Sequence, residues 1–237
     1  MLNFDPARFL RIQTGTVTIA RDLGALVGRL VAEGADSLFF MGSGGAGILM
    51  QPATDLMRRA SNLPCHNVLC AEIVLTGHVA LGPKSVVVMP SLSGTTKESI
   101  AAMEYVRARG ATVISITGHA DTPLAKGADH AFVNFAEDDT SCEMFYVTSL
   151  VAALAVMQAR GERSDYDRII GELAGLPQQL LAVKQAFEPR ADALARAIAA
   201  DGWHIITGSG AAWPQAYYYG MCILEEMQWI RTRPVHA

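Results

Sequence analysis

The chain has 237 residues, 51% of them apolar and 18% charged, with a formal charge of −4. That length allows one large domain or one and a half ordinary ones, and so much apolar material with so little net charge excludes an intrinsically disordered chain. The lack of long Lys or Arg runs argues against a nucleic-acid partner, and no uninterrupted apolar run reaches the about 18 residues of a membrane helix.

The N-terminus, Met1 to Pro6, lacks a basic region followed by an apolar run, so no secretory signal is read there. Residues 6–33 carry apolar side chains at helical spacing, among them Phe9, Ile12, Leu23, Leu26 and Leu30. Residues 37–41 form a compact apolar strand that stops at Gly42-Ser43-Gly44-Gly45-Ala46-Gly47, after which 48–59 is helical again. Further strands are predicted at 66–70, 85–89, 112–116 and 130–135, with a helix over 96–109 that Gly110 ends. The 85–89 strand is apolar almost throughout, as befits a parallel strand covered on both faces. Strand and helix alternating at this spacing predict an α/β fold with a doubly wound parallel sheet.

From about Ser141 the pattern is helical through 158, 166–173 and 180–200, punctuated by Pro177 and Pro189. A strand returns at 203–207, followed by Gly208-Ser209-Gly210 and a helix over 215–230. The two strand–Gly-Ser-Gly–helix units read as an internal repeat. The second copy has one strand and one helix, which cannot cover its own apolar faces, so it is expected either to pack on the first half or on another subunit, or to be the start of a second domain cut short.

The strongest motif is Ser91-Leu92-Ser93-Gly94-Thr95-Thr96-Lys97-Glu98, after one strand and at the start of a helix. Ligands of open parallel sheets bind beyond the carboxyl ends of the strands. A helix N-terminus there offers free N–H groups and the positive end of the macrodipole, which suits a phosphate. The hydroxyls of Ser91, Ser93, Thr95 and Thr96 add neutral donors, and Gly94 allows the tight path. Thr95-x-x-Glu98 also reads as a capping box, which leaves Ser91 and Ser93 unaccounted for.

Gly42 to Gly47 matches G-x-G-x-x-G, but no acidic residue stands about 20 positions on, where a dinucleotide site needs one. Close backbone packing, or a second wall of a sugar-phosphate pocket formed by Ser43 and Gly44, is the better reading. An NAD-dependent enzyme remains as an alternative. On the last helix, Glu225 and Glu226 point about 100° apart. Glu226 shares a face with Ile223 and Ile230 and is expected to be buried, where its pKa would rise and suit it to proton transfer; a paired or surface glutamate is an equal reading. The six histidines, His66, His78, His119, His130, His204 and His236, have no metal-ligand spacing and read as structural or surface residues. Cys65, Cys70, Cys142 and Cys222 form no C-x-x-C pair and read as free thiols in a reducing cytoplasm. Tyr217 to Tyr219 and Trp229 read as core or as a subunit interface.

The Ser91 to Glu98 segment resembles the S-x-S-G-x-T-x-E phosphate loop of the SIS (sugar isomerase) family. Thr117 to Ala125, with Ala128 and Asp129, is similar to the family's segment after its next strand. The resemblance implies a flavodoxin-like three-layer sandwich: one complete SIS domain over 1–162, a helical connection over 163–200 and the start of a second SIS domain over 201–237. The segments 225–230 and 235–237 resemble the bacterial deglycases of phosphorylated fructose–amino acid conjugates and the isomerase half of glucosamine-6-phosphate synthase. By that resemblance, Ser43, Gly44 and the run Ser91, Leu92, Ser93, Gly94, Thr95 and Thr96 hold the phosphate of a phosphorylated sugar or sugar–amino acid conjugate. Glu226 is the catalytic carboxylate, no metal or organic cofactor takes part, and the protein is a cytoplasmic homodimer or higher homo-oligomer. The relatives' catalytic histidine follows their glutamate at a point this chain does not reach; His236 resembles a different family position. An aldose–ketose or amino-sugar phosphate isomerase, or a non-catalytic sugar-phosphate-binding protein, are the alternatives.

Overall fold

A computed structural model describes residues 1, 4–136, 141–198 and 201–237. Helix α1, Pro6–Ala32, starts where Asp5 accepts hydrogen bonds from the Ala7 and Arg8 amides and Pro6 sets the first helical φ. It stops before Gly34, whose φ is +104°. Its apolar stripe, which includes Phe9, Ile12, Leu23 and Val27, is buried. Strand β1, Ser37–Gly42, follows and is buried at every position.

Two helices, α2 (Gly45–Ile48) and α3 (Gln51–Ala60), lead to β2, Cys65–Leu69; α4, Cys70–Thr76, leads to β3, Ser85–Ser91. Then come α5 (Lys97–Arg107), β4 (Thr112–Thr117), α6 (Pro123–Gly127) and β5 (His130–Val133). The five strands are parallel in the order β2-β1-β3-β4-β5. The expected doubly wound sheet is therefore present, with the flavodoxin-like strand order.

On one face α1, α3 and α7 (Ser141–Ala159) cover Leu38, Phe40, Val86 and Val88. On the other, α4 and α5 cover Phe39, Met41, Val87 and Met89. Alternate residues of one strand thus feed two separate cores, which is why β1 and β3 read as unbroken apolar runs rather than alternating ones. Helix α7 is apolar on all sides, and its Cys142–Ala159 stretch is long and apolar enough to cross a membrane although no uninterrupted apolar run marks it. Two thirds of that stretch (67%) is buried inside the fold, which makes it the core helix behind the sheet.

Beyond α8 (Tyr166–Glu172), α9 runs from Leu176 to Ile198. Pro177 lies in its first turn, but Pro189, expected to punctuate, lies inside the helix, which continues through it. Pro189 is exposed, so water can take the carbonyl that its missing N–H leaves unbonded.

Strand β6, His204–Gly208, is followed by α10, Trp213–Tyr218, which continues without a break into a π-helix, Tyr219–Met227. The sequence expectation of helix from 215 to 230 is corrected here. The helix ends at Met227, and a second strand, β7 (Thr232–His236), pairs in parallel with β6, His204 opposite Thr232. Single-strand reasoning missed it because Arg231, Arg233 and Pro234 break the apolar run. In the two Gly-Ser-Gly segments Gly44 and Gly210 both have positive φ, +53° and +55°. A Cβ on Gly42 would lie 2.5 Å from the Gly47 nitrogen, and one on Gly208 2.7 Å from the Ala212 carbonyl oxygen.

Asn134, just past β5, ties the sheet to α1: its Nδ2 donates to the Ile12 carbonyl (2.9 Å) and to Thr16 Oγ1 (3.2 Å). Gly15 makes room for it, since a Cβ there would meet Asn134 Oδ1 at 2.1 Å. Truncating Asn134 to Ala removes a buried donor and leaves its partners without it, so the variant should lose roughly 1–3 kcal/mol of stability. Urea unfolding should show a lower midpoint at an unchanged slope.

Candidate functional site

The chain leaves β1 towards one face of the sheet and β3 towards the other, so a crevice opens between their carboxyl ends. A cleft of about 520 Å³ occupies it. Ser43 after β1, Ser91 at the end of β3, Leu92, Ser93 and Thr96 beyond it, and Glu226 from the π-helix all line this one cleft. Three of the sequence-selected residues do not line it. Gly44 is exposed, Gly94 is buried under Thr122, and the Thr95 amide donates back to Ser93 Oγ at 3.3 Å.

The β3–α5 loop is braced from within. Ser91 Oγ accepts from the Gly94 amide (3.2 Å) and lies 3.3 Å from Thr96 Oγ1. Gly94 has φ +63°, and a Cβ there would sit 2.3 Å from Thr122 Oγ1, so both the turn and the close approach require glycine. The next loop zips onto it: the Gly118 amide donates to the Leu92 carbonyl (2.9 Å) and Leu124 to Gly94 (3.1 Å).

The capping box read at Thr95 and Glu98 is not formed. The N-cap of α5 is Thr96, and its side chain makes no capping hydrogen bond. The first-turn amides therefore keep their capacity to donate, beside the hydroxyls of Ser93 and Thr96. Ser43 Oγ lies 3.3 Å from Ser99 Oγ, which couples the β1 loop to the first turn of α5. Beneath them Cys70 is fully buried; burial pushes its thiol up, with the Ser99 and Ser43 hydroxyls against it. The glycine-rich loop thus serves close packing and the cleft wall, as Gly42 against Gly47 shows.

Glu226 is not buried, contrary to its expected position on the Ile223 face. It is exposed at the rim of the cleft, and Ile230 is exposed as well. The cause is the π-helix: i→i+5 bonding places more residues in each turn than the α-period assumed, so side chains 223 and 226 no longer share an inner stripe. Its neighbour Glu225 is engaged elsewhere, accepting from Thr232 Oγ1 at 3.2 Å. One of the two adjacent carboxylates thus fastens β7 while the other faces the cleft.

Tyr218 seats this helix against the first sheet. Its ring fits over Gly45, where a Cβ would be 2.6 Å away, and its hydroxyl lies 2.8 Å from Cys142 Sγ. Trp213 stacks on Tyr217, so the aromatic run is divided between the seam and the second strand pair. Tyr218, Cys222, Phe145 and His119 also line the cleft, and sequence reasoning assigned none of them a place there. For His119 the signal was its position just after β4, at the same sheet edge as the β3–α5 loop. His66 lies tilted against Phe39 and His78 meets the same ring edge-on, away from the cleft. No group of three potential metal ligands converges among the described residues.

Residues 33–160 match the SIS domain family model, and the chain belongs to that family. Its sequence is 28% identical over 227 residues to the fructosamine deglycase FrlB of Bacillus subtilis (strain 168), covering 94% of this chain and 68% of that protein. It is 25% identical over 207 residues to the fructoselysine 6-phosphate deglycase of Escherichia coli (strain K12), covering 86% and 60%. A Bacillus subtilis crystal structure described as a phosphosugar isomerase superposes with a TM-score of 0.81 at 26% identity, over 94% of this chain and 68% of that one. The chain thus spans from 60% to 68% of the length of these relatives.

Burial pushes the Cys222 thiol up, and the Glu226 carboxylate pushes it further in the same direction. Replacing Glu226 by Gln removes that charge, so Cys222 should lose its proton more readily. Its alkylation by iodoacetamide at pH 8 should accelerate, following the rise in thiolate. Cys65, pushed up to about 12 by burial, serves as the slow internal reference. An unchanged Cys222 rate would contradict the placement of Glu226 at the cleft.

Proposed function

We propose that this chain binds a sugar 6-phosphate in the β1/β3 cleft, and that a protein carrying a complete second domain deglycates a 6-phosphorylated ketosamine. The observation that carries this reading is the convergence, in one cleft, of the Ser43, Ser91, Ser93 and Thr96 side chains with the carboxylate of Glu226. Hydroxyls beside an uncapped helix N-terminus suit a phosphate, and a carboxylate at the rim suits a proton acceptor. The deglycase names of the two relatives support the substrate class.

In this mechanism the phosphate loop anchors the sugar and orients its other end towards Glu226. Glu226 takes a proton from the carbon bearing nitrogen, and the electron pair moves to the adjacent carbonyl, giving an enaminol. Returning the proton to the neighbouring carbon yields an imine. Water adds to the imine and expels the amine, leaving an aldose 6-phosphate and a free amino acid. The substrate's own nitrogen and carbonyl delocalise the charge, so the reading involves no cofactor.

The same reading divides the chain at 1–162, 163–200 and 201–237, the last part opening a second SIS unit. The matched positive φ values at Gly44 and Gly210 support that repeat. It also takes the protein to be a homodimer of the cytoplasm; four free cysteines fit a reducing compartment. A plain aldose–ketose isomerase is the second reading, favoured by the isomerase description of the structural neighbour. It uses the same proton transfer without hydrolysis, and release of free amino acid separates the two.

Fructose 6-phosphate and a 6-phosphofructosyl amino acid should each raise the melting temperature, by several degrees at ligand concentrations about a hundred times Kd. Fructose should not. Ser93→Ala should lose that shift. In a chain extended by the rest of the second domain, Glu226→Gln should abolish turnover and retain the shift. Stabilisation by NAD, with none by the sugar phosphates, would overturn the reading.

A further inference from the structure

A phosphate dianion is ordinarily met by Arg or Lys, yet no such residue is among the described residues that line this cleft. Its ionisable side chains are Glu226, Cys222, Tyr218 and His119, and of these His119 alone can carry positive charge. His119 had been set aside as a structural or surface histidine.

The fold holds it beside the phosphate loop. Its loop leaves β4, the strand next to β3. The Gly118 amide immediately before it bonds to the Leu92 carbonyl at 2.9 Å, inside the phosphate loop itself. Its backbone carbonyl accepts from Thr117 Oγ1 (2.9 Å) and from Thr122 Oγ1 (3.2 Å). Thr122 is the residue that covers Gly94. The imidazole packs edge-on against Phe135, with ring centres 5.4 Å apart, so its direction is set by an apolar neighbour, and its nitrogens make no hydrogen bond to another of the described residues. Sheet order places it on the β4 side of the phosphate loop, whereas Ser43 lies on the β1 side.

We propose that His119 is the cationic contact for the ligand's phosphate, completing from the β4 side an anion site that is otherwise built of hydroxyls and backbone amides. This rests on the sugar-phosphate reading above and adds the residue that makes its affinity respond to pH. Histidine is the side chain whose charge changes between pH 5 and 8. A bound phosphate favours the imidazolium, so the complex holds the proton more tightly than the free protein does. The contribution of His119 to affinity is then greatest at low pH and declines as pH rises through that window.

The other charges near this loop are accounted for. Asp121 pairs with Lys126. Arg11 of α1 donates to the Phe135 carbonyl at 3.4 Å. Lys97 and Glu98 stand exposed in the first turn of α5, outside the cleft lining. Glu226 and Cys222 come from the π-helix.

The test is calorimetric titration of fructose 6-phosphate into the wild type, His119→Gln and His119→Lys at pH 5.5 and pH 8. The ligand's own second ionisation enters all three proteins equally, so ratios between proteins isolate position 119. The wild type should bind roughly fivefold more tightly than His119→Gln at pH 5.5, with the ratio approaching one at pH 8. His119→Lys, charged throughout, should keep the advantage at both pH values. If wild type and His119→Gln bind with a ratio that does not change with pH, while Ser93→Ala abolishes binding, the role of His119 is overturned and the phosphate site stands. If the wild type binds no sugar phosphate at either pH, both readings fall.

Discussion

Parallel strands cannot be joined by a tight turn, so β1 and β3, side by side, must each send the chain off to a helix before it can return. Because those helices lie on opposite faces of the sheet, the two connections part at the strand ends. Every feature of the cleft follows from that parting. The β1 loop brings Ser43, the β3 loop brings the hydroxyl run, and the start of α5 lies between them with its amides uncapped. The glycines serve the same geometry: Gly42 lets the strand end press against Gly47, and Gly94 lets the second loop pass beneath Thr122. The packing that fixes the sheet therefore also fixes the distance between the two walls.

Much of the first sheet could be read directly from residue order. Five short strands alternating with helices, two of them apolar throughout, have few arrangements available to them. The β3–α5 loop was legible for a similar reason, since small residues, hydroxyls and a glycine coincide at a strand-to-helix junction. Ser43 and Ser91 to Thr96 were found by local pattern, and the cleft holds four of these residues together with Leu92. What local pattern could not supply was the vacant cap. Thr95 and Glu98 have the spacing of a capping box, but the helix begins one residue later than the motif assumes, and the pair never closes.

The second half was less legible, for a different physical reason. Placing Glu226 on an inner face presupposed a period of 3.6 residues, and the segment adopts a wider one. Nothing in Tyr219 to Met227 announces that choice, because it is made by tertiary contacts: Tyr218 against Gly45 and Cys142 at one end, Thr232 bonded to Glu225 at the other. Strand β7 was hidden in the same way. Its partner β6 lies 28 residues earlier, taking His204 opposite Thr232, and a strand containing Arg231's neighbour Thr232, Arg233 and Pro234 has no apolar run to betray it. His119, too, acquires its place from the fold, through a backbone bond to a loop 27 residues before it that sequence spacing does not reveal.

The scarcity of fixed positive charge around the cleft also bears on how a ligand arrives. The chain as a whole is negative, at −4, and no Lys or Arg among the described residues lines the cleft. A dianion approaching through solvent is then not drawn in from a distance, since long-range steering needs a field of opposite sign. The proposed anion site would then rely on contacts made at touching range, and its affinity would depend on salt less steeply than that of an arginine-lined site, which gains in dilute buffer and weakens as ionic strength rises.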